Sequence, residues 1–335
     1  MRQNSLSFYE TDSAGSPVSI VSIPLELGSD ERGLAAAPRY LYDHGLEYML
    51  SGIGREIRER RNIFCQRPRG EVSSGAMKHV EEIVSTATRA KVATEKALRR
   101  GDTVLALGGD HTAAIGPIAG GAAVFENIGL IYIDAHPDCT THETTISGNV
   151  HGMIVSSAIG CGHPMLTDLF SKKIKPENVL YLGIKDIDKG ELELIREQGI
   201  AYFTMLDIAL NGLSPVVRAI DSLAQRCNKT WVSLDLDSID EQYAPGVAMT
   251  TSGGLTRREI TALAHYIGRV CSVVGIDIAE MLPAKDRDGM TAHLVCELLA
   301  RFLGGSWGWY ENYMEHYAEI NVTGEREKVQ AIRKT

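Results

Sequence analysis

The sequence predicts an α/β fold built of three layers, with helices on both faces of a mainly parallel central sheet. Short apolar segments of strand character alternate along the chain with segments of helical period. Such alternation implies right-handed crossovers between parallel strands, which place helices on both faces of the sheet. The composition, with 44% hydrophobic and 6% aromatic residues, suits a globular protein with a sizeable core. We therefore expect residues 1–335 to form a single domain, with a C-terminal extension from about residue 310.

The predicted strands are apolar or β-branched runs of strand length. They cover residues 17–23, 103–107, 129–133, 179–184, 200–204, 230–234 and 273–278. Between them, apolar residues recur at three- and four-residue spacing, which indicates helices. The predicted helices cover residues 38–50, where a proline occupies the first turn, and 76–98, 191–198, 215–226, 257–270 and 291–303. The basic run at residues 55–61 is interleaved with acidic residues, so we interpret it as a solvated strand or loop.

The charge and the cysteine usage argue against several classes of protein. A net charge of −9 disfavours nucleic-acid binding, which needs a concentrated basic surface. Apolar runs stay well short of the about 18 residues of a membrane span, and the first residues lack the apolar core of a signal peptide. The six cysteines form no CxxC pair, which is typical of reduced thiols. We therefore expect a cytoplasmic protein that binds neither nucleic acid nor membrane.

Aspartate and histidine residues cluster directly after three of the predicted strands. Alternate residues of an extended chain share one face, so the members of a cluster can converge on one point. The carboxyl ends of parallel strands also meet at one edge of the sheet. Two imidazoles and four carboxylates are more than a single ion needs, and they suit a pair of bridged divalent ions. The residues of ligand type are His111, Asp134, His136, Asp138, Asp235 and Asp237.

Each cluster also has a purely structural interpretation. Asp110 and His111 alone could begin a helix, since aspartate commonly accepts backbone N–H bonds at a helix N-terminus. That interpretation is weaker for the other two clusters, because it leaves charges without partners at the ends of apolar strands. Cys139 falls out of step with the alternating face and is not counted as a ligand. The polar loop at residues 138–149 follows the second cluster, and a long loop in that place is typical of a functional site.

The three clusters resemble the signature motifs of the ureohydrolase family, which comprises arginases, agmatinases, formiminoglutamases and other guanidino hydrolases. The motifs are residues 108–111, 134–138 and 233–240, and the similarity extends from Ile23 to Glu280. The resemblance implies an arginase-like three-layer fold and a dinuclear manganese centre with two Mn²⁺ per chain, held by the six clustered residues. Because members of the family form trimers or hexamers, it also implies a homo-oligomer.

The loop after the second motif is similar to that of the arginase branch. Residues 147–152 read SGNVHG, and residues 183–191 read GIKDIDKGE. For substrate binding, the similarity implies Ser147 and Asn149 at the α-carboxylate, Asp188 at the α-amino group with Glu191 nearby, and Thr140 where arginases often carry asparagine. For catalysis, it implies proton transfer by His151, pairing of Glu280 with the guanidinium, and a role for Asp138 besides metal binding.

The predicted function is the metal-dependent hydrolysis of L-arginine to L-ornithine and urea. Guanidinium is a resonance-stabilised cation, so its hydrolysis needs an activated water and a stabilised tetrahedral centre, and two divalent ions can supply both. A carboxylate fixes this planar cation in attack geometry, and a histidine can relay the proton that the departing amine requires. Glu241, Met249 and Leu282 depart from the arginase pattern.

Other functions stay open at this point. Met249 and Thr140 leave room for another guanidino or hydroxyguanidino acid, as in an agmatinase, a guanidinobutyrase or an N-hydroxyarginine amidinohydrolase. A binuclear phosphoesterase also uses DxH and GD motifs, but there the DxH motif comes first, whereas here it follows residues 108–111. A non-catalytic member of the family would be expected to lack a ligand, and all six are present.

Overall fold

The computed structural model describes residues 15–66 and 77–305, and a sheet of parallel strands lies at its centre. The strands are β1 (Val18–Ile23), β2 (Ile57–Asn62), β3 (Thr103–Gly108), β4 (Ile128–Ile133), β5 (Val179–Ile184), β6 (Ala201–Thr204), β7 (Lys229–Asp235) and β8 (Val273–Ala279). Their order across the sheet is β2-β1-β3-β8-β7-β4-β5-β6, and every neighbouring pair is parallel. The predicted extension from about residue 310 lies outside the described residues.

Helices cover both faces of this sheet. They are α1 (Ala37–Asp43), α2 (Leu46–Gly52), α3 (Val80–Arg99), α4 (Ile115–Val124), α5 (Ile154–Ala158), α6 (Pro164–Thr167), α7 (Lys189–Gln198), α8 (Met205–Asn211), α9 (Ser214–Arg226), α10 (Arg257–Val270) and α11 (Met290–Phe302). One buried apolar cluster lies under α1, α2 and α8 to α11, and a second lies under α3 to α7 on the opposite face. Strand residues alternate between them, so Val232 joins the first cluster and Trp231 the second. The predicted three-layer α/β fold is confirmed.

The predicted strands all form, each within one residue of its predicted ends. The basic run that was interpreted as a solvated strand or loop forms β2, which lies at one edge of the sheet beside β1. Arg58, Arg60 and Arg61 of this strand are exposed. Charged side chains on an edge strand disfavour pairing with a second chain, so the composition of this segment fits its place.

Two predictions about helices were wrong for physical reasons. The single helix expected at residues 38–50 is two helices, because Gly45 between them adopts a left-handed backbone with φ of 94°. Helix α4 was missed because its sequence, IGPIAGGAAV, is apolar on every side and carries no helical period. Its glycines allow close packing on α3, since a Cβ atom at Gly116 would lie 2.4 Å from the carbonyl oxygen of Ala87.

Four neighbouring strands end at the same level of the sheet, and their ends carry the predicted site. Ile133 of β4 pairs with Leu234 of β7, and Ile278 of β8 pairs with both Leu234 and Leu107 of β3. The polar residues that follow these strands therefore lie side by side at one edge. Within residues 15–66 and 77–305, helices long and apolar enough to cross a bilayer are absent.

Candidate active site

The six predicted ligands lie together at the carboxyl ends of β3, β4 and β7. His111 begins a short 3₁₀ turn after β3, and Asp110 caps this turn by accepting the backbone N–H of Thr112 at 2.9 Å. Asp110 thus has the helix-capping role that the sequence allowed, and its other oxygen accepts the N–H of Gly28 at 2.7 Å. Because the cap fixes the turn, the imidazole of His111 is directed toward the aspartates of the neighbouring strands.

The first group of ligand atoms surrounds Nδ1 of His111. The Oδ2 atoms of Asp134, Asp138 and Asp235 each lie 3.1 Å from this nitrogen. His111 and Asp134 are fully buried, and the two other aspartates are nearly so. One nitrogen and three carboxylates at this spacing form a compact donor set for a divalent ion.

The second group contains His136 and shares one residue with the first. Nδ1 of His136 lies 3.0 Å from Oδ2 of Asp237 and 3.6 Å from Oδ1 of Asp134. The donor atoms of Asp134, His136 and Asp237 are all within 4.8 Å of one another, as are those of His111, Asp134 and Asp235. Asp134 therefore belongs to both groups, and its buried Oδ2 atom makes no hydrogen bond that would compete with a cation.

The electrostatics of the cluster favour cations. Burial and the nearby carboxylates of Asp138 and Asp237 raise the pKa of Asp134 to about 6. Burial lowers the pKa of His136, but Asp134 and Asp237 outweigh it and raise that pKa far above its ordinary value. The excess of carboxylates thus holds protons tightly, and divalent ions would displace them. The donor set, its shared carboxylate and its charge all fit a pair of divalent ions.

A buried hydrogen-bond chain fixes the orientation of His111. Its Nε2 atom lies 2.9 Å from the hydroxyl of Ser233, which donates to Oδ1 of Asp277 at 2.7 Å. Trp231 donates its indole N–H to the second oxygen of Asp277 at 2.5 Å. Because Ser233 gives its hydrogen to Asp277, it accepts from Nε2–H of His111, which leaves Nδ1 free to bind a cation. The roles of these residues were not predicted from the sequence. The one aspartate within the apolar strand β8, Asp277, was a sign that a buried polar contact is present there.

Tyr132 is a further residue of the site whose role was not predicted from the sequence. Its hydroxyl donates to Oδ2 of Asp138 at 2.7 Å and lies 3.0 Å from Nδ1 of His111. The phenol and imidazole rings are stacked, with centroids 4.9 Å apart and planes inclined by 15°. Tyr132 precedes Asp134 by two residues, so both side chains leave the same face of β4. We infer that Tyr132 orients the carboxylate of Asp138 and the ring of His111.

Replacing Tyr132 with phenylalanine should weaken the binding of a divalent cation such as Mn²⁺ by about tenfold, because it removes the hydroxyl that orients Asp138 and keeps the ring. Mn²⁺ affinity, measured by titration calorimetry on protein stripped with a chelator, checks this expectation. Tyr181→Phe is the matched control, since Tyr181 is equally buried, pairs with Tyr132 across β4 and β5, and makes no hydrogen bond through its hydroxyl to a proposed metal ligand among the described residues. Equal Mn²⁺ affinities of the two variants would show that the Tyr132 hydroxyl does not contribute to metal binding.

A pocket of about 270 Å³ opens above the clustered aspartates. Most of the predicted site residues line it, whereas His111 and Asp134 lie buried beneath its floor. The lining includes His136, Asp138, Thr140, Ser147, Asn149, His151, Asp188, Glu191, Asp235, Asp237, Met249 and Glu280. A larger cavity of about 730 Å³ lies at the β2 edge, around Tyr42 and Arg60, and contains none of the predicted site residues. The smaller pocket is the candidate active site, because it alone of these two reaches the metal-binding groups.

Glu280 and His151 face each other across this pocket. Oε1 of Glu280 accepts the backbone N–H of His111 at 2.8 Å and lies 3.4 Å from Nδ1 of His151. The backbone of Glu280 is left-handed, with φ of 62°, which is uncommon outside glycine and is found at functional sites. Burial lowers the pKa of His151, but the carboxylate of Glu280 raises it to about 9 overall. His151 therefore carries a proton at neutral pH and can donate it.

The remaining predicted residues are partly engaged in holding the loops of the pocket. Glu191 accepts the backbone N–H groups of Cys139 at 3.0 Å and Asp188 at 3.1 Å, so both of its oxygens fix the pocket wall. The hydroxyl of Thr140 donates to the carbonyl oxygen of Gly152 at 2.6 Å. Ser147, by contrast, is exposed, with its hydroxyl accepting only a 3.2 Å bond from the N–H of Asn149 among the contacts of the described residues. Ser147 is thus the more available group for a substrate, whereas the exposed side chain of Asp188 also accepts the backbone N–H of Glu191 at the start of α7.

The chain is similar in sequence and in structure to arginases. The model of the Arginase family matches residues 16–304. The arginase of Brevibacillus brevis is 34% identical over 290 residues, which cover 86% of this chain and 97% of that protein. The structure of Bacillus caldovelox arginase superposes with a TM-score of 0.83 at 33% identity and covers 86% of this chain and 98% of that one. The structure of Entamoeba histolytica arginase in complex with L-ornithine gives 0.82 at 25% identity, with 87% and 100% covered.

Proposed function

Because the chain belongs to the arginase family, we propose that it hydrolyses L-arginine to L-ornithine and urea, with two Mn²⁺ per chain as its cofactor. The observation that carries the proposal is the shared carboxylate of Asp134, which joins two His/Asp groups at the floor of a pocket. The wall of that pocket carries the loop that resembles the arginase branch of the family, with Ser147, Asn149 and His151.

The proposed ligands form two groups that share Asp134, and each group would hold one ion. His111, Asp138 and Asp235 would bind one ion, and His136 and Asp237 the other. Oxygen-rich sites with imidazole suit manganese, although availability decides which divalent ion is bound. When bound, the two ions would supply an activated water at neutral pH and stabilise the tetrahedral centre through its oxygen.

The side chains of the pocket would bind and orient the substrate. The carboxylate of Glu280 would pair with the planar guanidinium cation and hold its carbon toward the floor. The protonated imidazole of His151, 3.4 Å from Glu280, would donate a proton to the departing amine, which ends as an ammonium group. Ser147, Asn149 and Asp188 would bind the carboxylate and amino group at the other end of arginine.

Arginine should be a better substrate than agmatine, by about 10²-fold in kcat/KM, because agmatine lacks the carboxylate that Ser147 and Asn149 are proposed to bind. Sites built to bond a polar group discriminate more strongly when they are sealed from water. Here Ser147 is exposed, so water can bond the groups that agmatine leaves unpaired. We therefore expect a moderate ratio between the two kcat/KM values. Release of urea from arginine, agmatine and guanidinobutyrate, and of hydroxyurea from N-hydroxyarginine, measured with Mn²⁺-loaded protein, tests this.

The ranking of these four compounds separates the alternatives. A preference for agmatine or guanidinobutyrate would reject the arginase assignment and keep the hydrolase. A preference for N-hydroxyarginine would give Met249, which lines the pocket and is 53% exposed, a role in admitting the additional hydroxyl. Absence of both urea and hydroxyurea from every reaction would favour a non-catalytic member of the family.

Two further features are proposed on the same basis. The family resemblance favours a homo-oligomer, either trimer or hexamer, which light scattering of the purified protein can measure. The cysteines, all of which are free thiols, favour a cytoplasmic location, and fractionation of the source cells would test it.

A further inference from the structure

The short segment at residues 28–30 connects the metal-binding floor to the loop that carries Asn149 and His151. The N–H of Gly28 donates to Asp110, next to His111, and the carbonyl oxygen of Gly28 accepts the N–H of His151 at 3.2 Å. Two residues further on, Oδ2 of Asp30 accepts a hydrogen bond from the Nδ2 amide of Asn149 at 3.2 Å. One segment therefore touches both the cap of the floor and the proposed carboxylate-binding loop.

Lys78 completes these contacts from a third segment of the chain. Its ammonium group lies 2.8 and 3.0 Å from the two carboxylate oxygens of Asp30. Its backbone N–H donates to the carbonyl oxygen of Gly148 at 2.8 Å, directly beside Asn149. The bonds from Lys78 and then from Asn149 lower the pKa of Asp30, so its carboxylate is charged at neutral pH. We call Asp30, Lys78 and their bonds to residues 148–149 the Asp30–Lys78 clasp.

The clasp determines which atoms of Asn149 can meet a substrate. A charged carboxylate attracts the NH₂ group of an amide and repels its oxygen, so Asp30 selects one of the two possible orientations of Asn149. In that orientation one hydrogen of Nδ2 bonds Asp30 and the second remains available to a ligand. Among the described residues, the buried Oδ1 atom of Asn149 has no hydrogen-bond partner, a cost that the chain tolerates to keep the NH₂ group in place.

We propose that Asp30 is a positioning residue for the substrate α-carboxylate, and that Lys78 neutralises Asp30 so that this carboxylate is not repelled. The inference rests on the proposed function, since it assigns the clasp to an amino-acid substrate. Asp30 and Lys78 have separate effects on the substrate. Asp30 orients the amide donor of Asn149, whereas Lys78 removes the negative charge that Asp30 would otherwise present to the incoming anion.

Three variants distinguish these effects. Asp30→Asn should raise the KM for arginine about threefold, because orientation is weakened while no uncompensated negative charge appears. Lys78→Met should raise it about tenfold, since the unpaired charge of Asp30 then opposes substrate binding. The double variant should resemble Asp30→Asn, because Lys78 has no charge left to neutralise. In each variant kcat, Mn²⁺ content and the KM for agmatine should stay unchanged.

The measurement is steady-state urea release at low ionic strength from Mn²⁺-loaded protein, with arginine and agmatine as parallel substrates. Asp43→Asn is the matched control, because Asp43 is an exposed aspartate paired with Arg39 at 2.9 Å and lies on α1, away from the pocket lining. The proposed role of the clasp would be wrong if the variants raised the KM for arginine and for agmatine equally, or if the double variant showed the sum of the two single effects on KM. The arginase assignment would stand in either case. If the wild-type protein hydrolyses agmatine with the same kcat/KM as arginine, the proposed function is wrong, and so is the proposed role of the clasp.

Discussion

Replacing Asp134 with alanine should remove both bound ions and lower kcat/KM for arginine by at least about 10⁴-fold. Asp134 is the residue that the two groups of donor atoms share, so each ion loses a ligand in this variant. Each ion is expected to contribute several kcal/mol to stabilising the transition state, and about 5.5 kcal/mol corresponds to a factor of 10⁴. The measurements are Mn²⁺ content by elemental analysis and urea release.

Asp237→Ala is the informative companion to this variant. Asp237 contacts His136 and belongs to only one of the two groups, so this variant should keep about one ion per chain. Circular dichroism and thermal melting should show that both variants fold, because the apolar clusters on the two faces of the sheet are untouched. Two ions retained by Asp134→Ala would show that the assignment of a bridging carboxylate is wrong.

The predicted ligands could be found from the sequence because two simple rules apply to them. Parallel strands end at one edge, and alternate residues share one face, so residues that follow β3, β4 and β7 meet without knowledge of the strand order. Asp134, His136 and Asp138 came from this pattern. For Asp110 the sequence allowed the role of a helix cap, which the structure confirms, whereas its bond to Gly28 is seen only in the structure.

The residues that support the ligands could not be found in the same way. The bond from Ser233 to Asp277 depends on the register between β7 and β8, where these two residues are partners. The bond from Asn149 to Asp30 joins residues separated by 119 positions in the sequence and depends on how two loops pack. Register and loop packing are decided by the whole core, so local patterns of polar and apolar residues carry little information about them.

Replacing Glu280 with glutamine should lower kcat/KM for arginine by about 10³-fold while leaving two ions bound. In the wild-type protein the backbone N–H of His111 donates to Glu280 at 2.8 Å, and the amide oxygen of glutamine can still accept this bond. The metal-binding groups at the floor of the pocket should therefore keep their positions. What disappears is the negative charge that is proposed to pair with the guanidinium. Loss of one partner of a desolvated charge pair costs about 2–5 kcal/mol, and about 4 kcal/mol corresponds to 10³-fold.

The matched control for this variant is Glu297→Gln, which removes the charge of another buried glutamate. Glu297 lies on α11, is paired with Arg257 at 2.5 Å and is absent from the pocket lining. Its replacement should lower the melting temperature and leave kcat/KM unchanged, because it breaks an ion pair outside the site. If Glu280→Gln loses Mn²⁺ instead, Glu280 acts mainly by holding His111, and if it keeps full activity, another group binds the guanidinium. Retained metal with a large loss of kcat/KM would assign the charge of Glu280 to pairing with the substrate cation or to keeping His151 protonated, since the hydrogen bond to the floor is common to glutamate and glutamine.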